Sequence, residues 1–175
     1  MLNIYRDGDA GPISQADVSE FRIEKRRAEA ALTLATGTTV RGCFFLSGSS
    51  ASRSGPERVA DLLNAEPGFF PFELHDGETP QTVLYNRTQL LFVALLEEPV
   101  ESQLETDYSI AKERAVRILL SDGSSLEGQV RVYRPSGRDR LSDYARAPEA
   151  FRYVETADGT VIVNADHIVA FRETA

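Results

Sequence analysis

The stretch SGPERVADLLNAEPGF at 54–69 returns as SGRDRLSDYARAPEAF at 136–151. The echo extends both ways. Upstream, ALTLATGTTVRGCFFL (31–46) lies over RILLSDGSSLEGQVRV (117–132), placing Gly37 over Gly123 and Gly42 over Gly128. Downstream, VLYNRTQLLFV (83–93) lies over VIVNADHIVAF (161–171), with Asn86 over Asn164. The first copy carries two extra four-residue stretches, one near SGSSAS and one near ETPQ, both at turn-rich places where a repeated unit tolerates insertion. An ordered set of matches of this length predicts that one structural unit was written twice. The expected organisation is an N-terminal segment (1–28), a first unit (29–96), an acidic linker (97–113) and a second unit (114–175).

Each unit has the signals of an all-β fold with a short helix. In the second copy, Val116, Ile118 and Leu120 mark an alternating strand that runs into the turn SDG at 121–123. The next strand, SLEGQVRVY, holds Gly128 in its interior, the mark of a bulge or sharp bend. FRYVE, a second DG turn, TVIV, Asn164 and HIVAF complete five strands. Between strands two and three, Ser54-x-x-Glu57 and Ser136-x-x-Asp139 read as capped helix starts. Pro67 and Pro148 keep the helices short. Arg58 and Asp61, like Arg140 and Asp143, are spaced to pair on the helix surface. The competing expectation is that Arg58, Arg138 and Arg140 line a site for an anion or a partner's carboxylate. Phe69 matches Phe151 and is expected in the core. Phe70 is matched by Arg152, which makes Phe70 the candidate for an outward or inter-copy contact with a partner.

VRILLSDGSSLEGQVRVY resembles the first Sm motif, and VNADHIVAF loosely resembles the second. The resemblance implies two tandem five-stranded SH3/Sm-like small barrels. It fails in the middle of each copy, where the Sm uracil-binding segment has no match, so RNA-binding residues do not carry over. As a whole the repeat is similar to a duplicated bacterial small-barrel family, a likeness that implies no particular activity. RIEKR and SASRSG, giving Arg22, Arg26, Ser52 and Gly55, resemble the cyclic di-GMP motif of PilZ domains. That resemblance implies guanidinium forks on phosphate and guanine. Ser50 stands where the PilZ pattern requires Asp or Asn.

Composition narrows the function. A net charge of −8 opposes nucleic acid and anionic membrane surfaces, which are held by Lys and Arg. The one cysteine, Cys43, allows no intrachain disulfide and fits a reducing compartment; with no secretory leader pattern, the expected location is cytoplasmic. The longest apolar run, LLFVALL at 90–96, is too short for a membrane helix. His75 and His167 occupy different places in the repeat, and no Cys/His set has zinc spacing. No P-loop and no activated nucleophile is visible. Sequence thus points to a protein-binding or regulatory module without enzymatic activity, metal or cofactor. A cyclic-dinucleotide sensor is the alternative and an Sm-like RNA binder the third reading. Exposed strand edges are natural docking sites for a partner.

Overall fold

The computed structural model describes residues 25–97, 100–133, 137 and 139–174. The first half contains β1 (Arg26–Leu34), β2 (Thr39–Leu46), α1 (Val59–Ala65), β3 (Phe69–Leu74), β4 (Gln81–Asn86) and β5 (Leu90–Leu95). The second contains β6 (Lys112–Leu120), β7 (Ser125–Val132), α2 (Leu141–Ala145), β8 (Phe151–Thr156), β9 (Gly159–Asn164) and β10 (Ile168–Glu173). The same order of elements therefore occurs twice. A 3-10 turn joins the last two strands in each half, at Arg87–Gln89 and Ala165–His167. Asn86 and Asn164 cap these turns alike, their side-chain oxygens accepting from the amides of Thr88 and Asp166.

The chain is all-β, as expected, and its strands make a single antiparallel sheet. Their order is β10-β6-β7-β8-β9-β5-β1-β2-β3-β4. The two halves are joined where β5 pairs with β9, Phe92 opposite Val163, Val93 opposite Ile162 and Ala94 opposite Val161. The outer strands are β10 and β4.

Period-two patterning builds this sheet. In β6, Val116, Ile118 and Leu120 are buried while Arg117 and Leu119 face away. The interior glycines have a steric cause. A Cβ on Gly42 would run into the Glu73 carbonyl oxygen, and one on Gly128 into that of Glu155. Each glycine lets the third strand of its half lie close against the second. Gly37 and Gly123 hold positive φ (83° and 86°) in the first hairpin turns.

Two apolar cores lie along the sheet, and each borrows from the other half. Phe44, Phe70, Phe72, Leu32 and Leu63 pack with Phe151 and Ile162 from the second half. Val116, Ile118, Val130 and Val154 pack with Leu91 from the first. Units of this size have marginal cores alone, so sharing the joint stabilises both.

The helix starts and the linker need correction. The helices begin four residues later than the serine pattern indicates: α1 follows Arg58, whose amide donates to Asp61 Oδ2 (3.0 Å), and α2 follows Arg140, whose amide donates to Asp143 Oδ2 (3.0 Å). The acid three residues on therefore reaches back, while arginine cannot accept in return. Between the halves, Glu101–Leu104 form a 3-10 turn that buries Val100 and Ser102 while Gln103 and Leu104 stay exposed, so the linker is anchored at this point rather than solvated throughout. Expectations for residues 1–24 lie outside the described residues.

Candidate partner-binding cleft

The joint between the halves creates a cleft of about 430 Å³. It opens because β7 and β8 share one paired position, Gln129 with Glu155, and then diverge. Beyond that pair, Arg131–Tyr133 form one wall and Phe151–Tyr153 the other. The divergence would strand backbone groups of β8. Asn64 of α1 meets them, its Nδ2 donating to the Phe151 carbonyl (2.9 Å) and its Oδ1 accepting the Phe151 amide (2.9 Å). A first-half helix thus sits where a neighbouring strand would have been.

Beside the cleft, Glu101 ties the start of α1 to Tyr153 of the cleft wall. Its carboxylate accepts from the amides of Val59 (2.8 Å) and Ala60 (3.0 Å), at the start of α1, and from the Tyr153 hydroxyl (2.8 Å). Burial, with this carboxylate beside it, pushes Tyr153 far above the ordinary tyrosine range and keeps its hydroxyl a donor. Nearby, Arg131 lies over the Tyr108 ring (3.7 Å to the centroid) and binds Glu155 (3.1 Å) and Glu113 (2.7 Å). Tyr133 is partly exposed on the wall, and burial followed by the Glu105 charge pushes it up to about 12. The Ser102 hydroxyl is buried against the cleft without a hydrogen-bond partner among the described residues.

The cleft is acidic. Asp61, Glu105, Asp143, Glu149 and Glu155 line it against Arg131 and Arg152. Arg152 is committed to the end of α2, donating to the carbonyls of Tyr144 (2.7 Å) and Ala147 (2.6 Å).

The structure distributes the sequence candidates unevenly. Arg58 is buried, donating to Glu105 Oε1 (2.5 Å) and the Leu104 carbonyl (2.8 Å), so it braces the linker rather than pairing with Asp61 on an open helix surface. Arg140 is exposed at the start of α2, while Arg138 and Arg22 lie outside the described residues. Arg26 and Gly55 line a second hollow of about 390 Å³, where Arg26 pairs with Glu97 (3.0 Å). Ser52 lines the main cleft instead, with its hydroxyl beside that of Ser50 (3.1 Å). Phe70 and Phe69 exchange their expected roles. Phe70 is buried, stacked on Phe44 (5.4 Å between centroids), which leaves it no surface for a partner, and Phe69 points outward.

Strand register also assembles a group invisible in the linear sequence. Cys43 lies opposite Glu73, and the ligand-type atoms of Cys43, Glu73 and His75 fall within 4.8 Å of one another. Arg27 (3.1 Å) and His75 (3.1 Å) both contact the Glu73 carboxylate, so a cation is already in place. Burial, then Glu29 and Glu73, raises the Cys43 thiol. His167 bridges the joint, its Nε2 within hydrogen-bond distance of the Thr88 carbonyl (2.6 Å) and its Nδ1 of Ser121 Oγ (2.6 Å).

Comparison with protein-family models, with curated proteins and with solved structures finds no match to this chain.

Proposed function

We propose that the chain is a non-enzymatic binding module, made by duplication of one small five-stranded SH3/Sm-like unit, and that the cleft between its halves takes a segment of a partner protein. The observation that carries this is the character of the cleft: a concave wall with Tyr133 accessible, an excess of carboxylates, and basic groups engaged in internal contacts. Such a site suits a segment with an aromatic or aliphatic anchor beside a Lys or Arg. It disfavours an anionic ligand. For the same reason the cyclic-dinucleotide and RNA alternatives rank below it: the guanidinium of Arg26 already faces Glu97, and the chain is net acidic.

A random peptide library panned on the full chain tests the reading. Enriched peptides should be basic and carry an apolar anchor. Their affinity should fall about tenfold in Tyr133→Ala and in Glu149→Lys. Enrichment no better than background, or peptides indifferent to both substitutions, would remove the cleft as the recognition site. Saturable heat on titrating cyclic di-GMP, lost in Arg26→Ala, would replace this reading with the nucleotide one.

A further inference from the structure

Inside the chain, the two halves grip each other through unlike surfaces. The first half presents β5; the second presents β9 and, beside it, β8. In the repeat alignment β10 corresponds to β5, β4 to β9 and β3 to β8. The strands left at the two ends of the sheet are therefore the counterparts of the two strands that meet in its middle.

Exposure follows this correspondence closely. Leu91 of β5 is 0% exposed, and its counterpart Val169 of β10 is 63% exposed. Ile162 of β9 is 0% exposed, and its counterpart Leu84 of β4 is 63% exposed. Phe151 of β8, covered by α1 across the joint, is 5% exposed, while its counterpart Phe69 is 63% exposed. Three apolar positions buried at the internal joint thus reappear uncovered at the ends. Polar groups repeat the pattern. Asn164 Nδ2 donates across the joint to the carbonyls of Arg87 (3.3 Å) and Leu90 (3.0 Å). Asn86 caps its turn in the same way, and its amide nitrogen has no partner among the described residues. β4, QTVLYN, also lacks the charges, proline or glycine that usually protect an edge strand.

We propose that the chain binds a second copy of itself head to tail, β10 of one copy pairing antiparallel with β4 of the next in the register used by β5 and β9. Carrying that register over sets Ala170 opposite Tyr85, Phe171 opposite Leu84 and Arg172 opposite Val83. The occupant is a second copy because the surface already seen to fit a β5-type edge is a β9-type edge, and among the described residues each chain presents one of each unfilled. Asn64 has Arg146 as its counterpart, so the new joint rests on strand pairing and the apolar set rather than on that amide clasp. A heterologous joint leaves one free end at each side of a dimer. It therefore closes into a ring or extends further. The charge of −8 on each copy opposes association, so added salt should strengthen it.

The proposal rests on the duplication in the preceding section but not on the cleft, whose peptide assay can fail or succeed independently. Sedimentation velocity of the full chain, over a concentration series and at two salt levels, should show species at multiples of the 19.3 kDa protomer, increasing with salt. Leu84→Lys and Val169→Lys change exposed side chains, so each should keep its circular dichroism and urea midpoint yet sediment as a monomer. Mixed together, the two variants retain one compatible pair of edges and should form a dimer and nothing larger. Val83→Cys with Arg172→Cys should crosslink between chains on oxidation, where either cysteine alone should not. A wild-type chain that stays monomeric at every concentration and salt level would overturn the proposal. So would a Val169→Lys variant of wild-type mass, which would mean β4 meets β4. Assembly without the Val83–Arg172 crosslink would overturn the register taken from the repeat.

Discussion

Replacing Glu101 with alanine removes a carboxylate that accepts three hydrogen bonds, from the amides of Val59 and Ala60 and from the Tyr153 hydroxyl. The helix start loses the side chain that satisfies its first amides, a change of about 1 kcal/mol for a typical N-terminal cap. The Tyr153 hydroxyl is left in a largely buried place without its acceptor, which costs about 1–3 kcal/mol. Together the loss is about 2–4 kcal/mol. With a urea slope of about 2 kcal/mol per molar, the unfolding midpoint should fall by about 1–2 M. Glu101→Gln keeps an acceptor oxygen and should lie between alanine and wild type. Tyr153→Phe makes the attribution specific: in the Glu101→Ala background no orphaned hydroxyl remains to be lost, so a double-mutant cycle should return a coupling of about 1–2 kcal/mol. A solvated residue in an acidic linker would behave differently, with substitutions within about 0.5 kcal/mol of wild type. A Glu101→Ala midpoint that close to wild type would refute the idea that this carboxylate fastens the two halves.

Three other outcomes are expected. Phe70→Ala should cost about 3–5 kcal/mol in urea unfolding, whereas Phe69→Ala, measured at concentrations too low for association, should stay within about 0.5 kcal/mol; equal costs would contradict the opposite burial of the two rings. Gly42→Ala and Gly128→Ala each force a methyl group against a carbonyl of the adjacent strand and should destabilise by about 1–3 kcal/mol or more, detectable as a lower thermal midpoint. Tyr85, Tyr108, Tyr133, Tyr144 and Tyr153 are all raised by burial first. Because their folded pKa values exceed the unfolded ones, the stability they contribute is complete below the ordinary tyrosine pKa and is lost as pH rises from there through the raised folded values. Tyrosinate absorbance should therefore appear late and together with loss of the folded circular dichroism signal; early ionisation of the native protein would count against their burial.

What was legible in the sequence is what local geometry decides. Hairpin turns, alternating strands and the interior glycines depend on neighbours within a few residues, and all are present at the expected places. The helix starts were misplaced by one motif: Arg58-x-x-Asp61 and Arg140-x-x-Asp143 supply the reaching acid, not the serines upstream. Linker composition misled for a related reason. Five acids in a short stretch suggest solvation, yet Glu101 and Glu105 are spent on amides, a hydroxyl and Arg58. The Cys43, Glu73 and His75 group was out of reach, because only the β2–β3 register brings it together.

The Phe69 and Phe70 exchange shows where sequence comparison of two halves stops being a guide. Period two dictates that adjacent residues of β3 face opposite sides, so one ring had to point inward and the other outward. Matching Phe69 to Phe151 chose the wrong one, although the match itself is sound in sequence. Phe151 is buried because α1 of the other half lies over it and Asn64 binds its backbone, a neighbour that Phe69 lacks among the described residues. Two equivalent positions in a heterologous pair of units need not share an environment, since one faces the joint and the other faces the end. Burial at such positions is set by the order of units along the sheet rather than by the unit itself. For this reason the mismatch between aligned residues, more than their agreement, carries information about what lies beyond the chain's own edges.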